Sequence, residues 1–201
     1  MKQNKRGFTL IELLVVIAII AVLSVVVILT LNPAELLRQS RDSRRISDLN
    51  TIKSALSLFL ADTASSSGLF GGAGGSFTTC YVSKNVGVAS QTCGSIMTRS
   101  PIITTTSSVA DSSNSKVDGT GWIPVNLTAV SAGSPIGSFP VDPVNATPTF
   151  YFYRASSTAA SFKLATSMES TKYSNGGTGD VESKDGGNNV DYFETGTDLT
   201  L

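Results

Sequence analysis

Lys5-Arg6-Gly7-Phe8-Thr9-Leu10-Ile11-Glu12 opens an apolar run that continues to Leu31, and this stretch decides the architecture of the chain. A helix rises about 1.5 Å per residue, so the run is long enough to cross a hydrocarbon layer about 30 Å thick. Glu12 is its one carboxylate and stands near its start. Such a group costs about 2.5–3.5 kcal/mol at the bilayer centre and less toward the interface, and intramembrane carboxylates are as a rule paired and functional. Glu12 therefore calls for a partner. Lys2, Lys5 and Arg6 should stay in the cytoplasm, which places everything after Leu31 outside.

Basic residues before an apolar core also open an ordinary secretory signal peptide, but that peptide is cut after the core, at small residues of the A-x-A kind. Here the run ends in Leu29-Thr30-Leu31-Asn32-Pro33. A plain signal anchor accounts for the span and leaves Glu12 unexplained.

The constellation from Lys5 to Glu12 closely resembles the prepilin (type III) signal of type IV pilins and of the pseudopilins of type II secretion. The resemblance implies cleavage between Gly7 and Phe8 by a membrane-embedded prepilin peptidase, N-methylation of Phe8, and a role for Glu12 in neutralising the N-terminal amine of a neighbouring subunit. Two charges in a low-dielectric bundle are tolerated chiefly when paired, so that role is physically sensible. It further implies a filament subunit whose partners are copies of itself or related pilins, the peptidase and an inner-membrane assembly platform. The protein would be single-pass in the cytoplasmic membrane with an extracytoplasmic head, then part of a surface or periplasmic filament.

Fifteen Lys and Arg balance fifteen Asp and Glu, but three of the basic residues precede Phe8, so the side chains after Gly7 carry −3. That balance argues against a general nucleic-acid binder. The chain has no histidine, which excludes Ser-His-Asp, Cys-His and His-metal centres, and no motif pairs its carboxylates as acid and base. A non-enzymatic protein is expected, with a binding module (a minor pilin for adhesion or DNA uptake) and a signal-anchored carboxylate-pair enzyme as the alternatives.

Asn32 suits a helix cap, Pro33 a first helical position and Glu35 a capping-box acid, so a break is expected at Asn32-Pro33 before a second helix. In the pilin family a kinking proline usually lies a few residues earlier. Ile46, Leu49, Ile52, Leu56, Phe59 and Leu60 recur at helical spacing and should pack on a sheet. Arg38, Arg41, Arg44 and Arg45 form a basic cluster beyond the span, expected as a solvated face paired with Asp42 and Asp48, the rival being contact with anionic headgroups. The helix should end near Asp62, where Thr63-Ala64-Ser65-Ser66-Ser67-Gly68 begins loop chemistry. From there to about Gly121 only short β-prone pieces such as Phe77 to Val82 are legible.

Cys80 and Cys93 are the only cysteines, and an exported even pair favours one disulfide closing a small loop, with free thiols as the rival. Such a bridge is worth about 3 kcal/mol in the chain-entropy model. Asn126-Leu127-Thr128 and Asn145-Ala146-Thr147 match glycosylation sequons and are assigned no function. Phe139-Pro140-Val141-Asp142-Pro143-Val144-Asn145 reads as a rigid turn entering the β-prone Thr149–Arg154 segment, and 161–168 alternates with Phe162, Leu164 and Met168 on one face. This hairpin block resembles the head of major pseudopilins. That family often holds calcium in a C-terminal loop, which makes Asp180, Glu182, Asp185 and Asp191 candidate ligands in the Gly-rich tail; plain solvated turns are the alternative reading.

The expected fold is α+β and pilin-like, a long N-terminal helix with a small antiparallel sheet on its C-terminal half. Its expected segments are a leader (1–7), a membrane or filament-core helix (8–31), an amphipathic helix (32–62) and a β-rich head (63–201).

Overall fold

Leu10 to Leu31 holds no helix breaker, and Thr9 caps it by accepting the Glu12 amide, so the apolar run folds as helix α1 (Leu10–Leu31) in the computed structural model of the protein. The model describes residues 7–63, 79–84, 105–108, 114–146, 149–156 and 160–201. Leu10–Ile28 has a mean hydropathy of 3.2 and is long and apolar enough to cross a membrane. Ser24 Oγ donates to the Ile20 carbonyl at 2.7 Å, which satisfies the hydroxyl within its own helix.

The break falls where the sequence places it. Asn32 is left-handed at φ 40° and ψ 75°, a conformation that asparagine tolerates better than most residues, and Pro33 opens α2 (Pro33–Thr63). The Asn32 carbonyl accepts the Glu35 and Leu36 amides at 3.0 and 3.3 Å, and its Oδ1 accepts Glu35 at 3.4 Å. Asn32 thus ends one helix and caps the next. The chain divides into two compact units, Met1–Leu37 and Arg38–Leu201.

In the second unit α2 buries Leu49, Ile52, Ala55, Leu56 and Phe59, with Ile46 and Leu60 at the margin, as the helical spacing requires. Among the described residues it holds five strands: β1 (Thr79–Val82), β2 (Thr105–Ser108), β3 (Phe152–Ser156), β4 (Ser161–Thr166) and β5 (Phe193–Gly196), in the order β2-β1-β3-β4-β5. The β1-β3-β4-β5 part is antiparallel, giving the expected α+β, pilin-like layout, while edge strand β2 runs parallel to β1. Tyr81, Tyr153 and Leu164 are paired across three strands, and with Phe162 they join the helix residues in the main core. The opposite face is buried too. Cys80, Val82, Phe150, Phe152 and Ala165 cluster there, with Tyr192 packed against them.

The hairpin reading is therefore right in place and one-sided in its burial, since all six residues of β4 are buried rather than one alternating face. Residues 114–146 add a core without regular strands: Trp122, Ile123, Val125, Leu127, Val130 and Phe139 are buried. Backbone bonds hold this segment, among them Trp122 N to Asn114 O at 2.9 Å and Leu127 N to Val117 O at 2.8 Å, and the Trp122 indole donates to the Pro140 carbonyl at 3.0 Å. Gly121 is required there, because a Cβ would stand 2.0 Å from the Lys116 carbonyl oxygen. Asn126 Oδ1 accepts the Thr128 amide and hydroxyl, so this sequon has a structural use as a turn.

Candidate processing and assembly site

Gly7, Phe8 and Thr9 lie outside the helix, immediately before its first turn. Backbone that is neither helical nor paired is where a protease finds an extended substrate. Nothing lies within 4 Å of the position a Gly7 Cβ would take, and Phe8 is 89% exposed. The Gly7–Phe8 bond is thus free of steric cover within the described chain; Met1–Arg6 lie outside the described residues.

Glu12 is the third residue of α1, and its Oε2 accepts both the Thr9 amide and the Thr9 hydroxyl at 2.8 Å. The Glu12 amide donates back to Thr9 Oγ1 at 3.3 Å, completing a capping box. Thr9-Leu10-Ile11-Glu12 spells that box, so Glu12 has a partner within its own helix end as well as the distant one that its place in the span leads one to expect. Both bonds fall on Oε2, and Oε1 takes part in neither.

The basic cluster of α2 is not a uniformly solvated face, and here the expectation is corrected. Arg44 is exposed and pairs with Asp48 at 3.7 Å, as expected, but the Arg45 side chain is completely buried. Its guanidinium meets Asp42 at 2.7 Å, Asp142 at 2.5 and 3.0 Å, and Glu169. Arg41 reaches the same Glu169 carboxylate. Asp42 also accepts the amides of Glu169 and Ser170 at 3.0 and 2.8 Å, while Asp142 accepts those of Val144 and Asn145 at 2.8 and 2.9 Å. One arginine therefore ties α2 to the Pro140-Val141-Asp142-Pro143 turn and to the segment after β4. Burial opposes its charge, but Asp142, Glu169 and Asp42 outweigh that and raise its pKa further. Burial likewise opposes the Glu169 charge, yet the bonds from Arg41 and Arg45 hold its carboxyl below the ordinary range.

Asp180, Glu182 and Asp185, three of the four tail carboxylates, each accept backbone amides. Asp180 accepts Gly176 N at 2.9 Å, Ser183 N at 3.0 Å and Ser183 Oγ at 2.5 Å. Glu182 accepts Met168 N at 2.7 Å and Asn175 N at 2.9 Å, one on each oxygen. Asp185 accepts the Gly187 and Glu194 amides on separate oxygens, and Asp191 is exposed. Among the described residues no group of three or more His, Cys, Asp or Glu side chains is placed to hold a metal. Asp180 thus closes its own turn, while Glu182 ties the tail to Met168 and Asp185 ties it to the start of β5. A Gly- and Asn-rich loop is dense in backbone amides, each a donor that a nearby carboxylate can satisfy.

Asp180 gives this loop a pH dependence. Bonds from the Ser183 hydroxyl and amide and from the Gly176 amide lower its pKa to about 2, against about 3.9 in an unfolded chain. A depressed folded pKa stabilises fully above the unfolded value, and that contribution is lost as pH falls through the folded one. Asp180→Asn should therefore lower the melting temperature near neutrality, and the gap from the parent should close between about pH 4 and pH 2. A gap that stays constant over that interval would refute this role for the carboxylate.

Cys80 is buried in β1 and is not a free cysteine. Cys93 lies outside the described residues.

No curated protein and no solved structure matches the chain. Residues 2–28, which include the open Gly7–Phe8 bond, the Thr9–Glu12 cap and the apolar helix behind it, match the family model of the prokaryotic N-terminal methylation motif, so the chain carries the prepilin signal of type IV pilins and pseudopilins.

Proposed function

We propose that this protein is a structural subunit of a type IV pilus or type II secretion pseudopilus filament, cut between Gly7 and Phe8 by prepilin peptidase, N-methylated at Phe8 and assembled through α1. The observation that carries the reading is the prepilin motif over residues 2–28 on a helix whose membrane-length span holds Glu12 as its one charged residue, with the expected cleavage bond exposed and non-helical. The α+β head is the layout such a subunit needs, and the Arg45 clamp locks α2 to it. In the filament, Glu12 meets the Phe8 amine of a neighbour. Before assembly the protein sits in the cytoplasmic membrane with its head outside, where an oxidising milieu keeps Cys80 and Cys93 in one disulfide.

Mass spectrometry of membrane-extracted protein tests both statements. The N-terminus should be Phe8 bearing a methyl group, and unreduced digests should hold Cys80 and Cys93 in one linked species. An N-terminus beyond Thr30 would sink the filament reading, and alkylation of both cysteines without reductant would sink the bridge.

A further inference from the structure

Lys163 and Glu194 face each other on the sheet side away from α2, both side chains completely buried. The Lys163 amine makes three polar contacts. It touches Glu194 Oε1, lies 2.7 Å from the Asn188 side-chain oxygen Oδ1, and lies 3.0 Å from the Leu201 main-chain oxygen. Among the described residues Glu194 Oε1 has no hydrogen-bond donor besides that amine. Glu194 Oε2 accepts the backbone amides of Asn188 and Asn189 at 2.7 and 3.2 Å, so one carboxylate holds the amine with one oxygen and the loop carrying Asn188 with the other. The fit leaves no slack: a Cβ on Gly187 would stand 1.7 Å from Glu194 Oε2.

An amine against a carboxamide, with a buried carboxylate bridging both residues, is the arrangement for transamidation. We propose that Lys163 and Asn188 condense into an intramolecular isopeptide bond, with Glu194 as the proton carrier. The first step moves one proton from the Lys163 ammonium to Glu194 Oε1 along the contact the two groups already make. The neutral Nζ attacks Asn188 Cγ, forming the C–N bond and a tetrahedral centre. Glu194 returns its proton to the departing nitrogen, the Cγ–Nδ2 bond breaks, and the leaving amine, with the proton released from Nζ, departs as ammonium. The balance is one ammonium side chain and one carboxamide giving one secondary amide and one ammonium ion, with no oxidant or cofactor. Asn188 is exposed, so the leaving group has a path to water while amine and carboxylate stay dry. The product joins β4 covalently to the loop before β5, a crosslink indifferent to thiol reductants.

The test is peptide mapping by tandem mass spectrometry of the full chain, extracted in detergent and reduced. The expected product is a branched peptide joining Lys163 to Asn188, lighter than its two parts by one ammonia, with no tryptic cut after Lys163. Complete recovery of separate Lys163 and Asn188 peptides would overturn the proposal and leave an ion pair. So would ammonia loss confined to Asn188 with trypsin still cutting after Lys163, which marks a succinimide. Glu194→Gln should leave the two residues unlinked, and a fully linked Glu194→Gln protein would remove Glu194 from the reaction.

Discussion

Arg45→Met should lower the stability of the head by about 3–5 kcal/mol, while Arg44→Ala, one residue away, should cost less than about 1 kcal/mol. The difference lies in what each cation leaves behind. Arg45 is fully buried and touches three carboxylates, two of which, on Asp42 and Asp142, are themselves completely buried. Methionine fills most of the volume of the side chain but supplies none of its charge or donors, so Asp42 and Asp142 keep only their backbone donors in a dry site, while Glu169 keeps Arg41. The Arg44 side chain is 68% exposed and stands 3.7 Å from Asp48, a pair that solvent screens. For a folding unit of this size each kcal/mol moves the melting temperature by about 2–4 °C, so the variants should melt roughly 10 °C apart. Near-ultraviolet circular dichroism of the buried Trp122 in the detergent-extracted full chain would follow the transition. Equal melting temperatures for the two variants would show that the clamp carries no stability.

That clamp also marks the limit of what the chain reveals as text. Leu49, Ile52, Leu56 and Phe59 announce a buried helix face because their spacing matches the helical turn, and Asn32-Pro33 announces a break because its backbone chemistry is local. Arg45 announces nothing. Its burial depends on Asp142 and Glu169, far away in sequence, and an arginine among arginines reads as a wet surface until the fold brings those acids to it. The same holds for Lys163, the charged residue of a strand whose second face looks solvated until the tail covers it. The core of Trp122, Val125, Leu127 and Phe139 was illegible for another reason. It has neither helical nor strand periodicity, because its shape is set by turns and single backbone bonds. The Gly7 to Glu12 signal was legible because its motif and the apolar run behind it are contiguous, whereas the Thr9–Glu12 cap was hidden behind the expectation of a distant partner for Glu12.

Glu12 is where local structure and filament chemistry make different demands, and two substitutions separate them. Glutamine fills the capping box as glutamate does, accepting from Thr9 without a charge, whereas alanine loses both the bond and the charge. If the carboxylate serves only to start α1, Glu12→Gln should behave as the parent and Glu12→Ala should lose about 1 kcal/mol of helix-end stability. If it meets the Phe8 ammonium of a neighbouring subunit, both variants leave a buried cation unpaired at every junction, a penalty of about 3–5 kcal/mol. That corresponds to at least a hundredfold loss in the equilibrium for adding a subunit, at about 1.4 kcal/mol per factor of ten. The expected result is that both variants are still cut after Gly7 and accumulate in the membrane, yet are almost absent from sheared filaments. Normal filament entry by Glu12→Gln with failure of Glu12→Ala would make the residue a helix cap and nothing more. Normal entry by both would remove it from assembly altogether, since no other carboxylate lies in the apolar run to take its place.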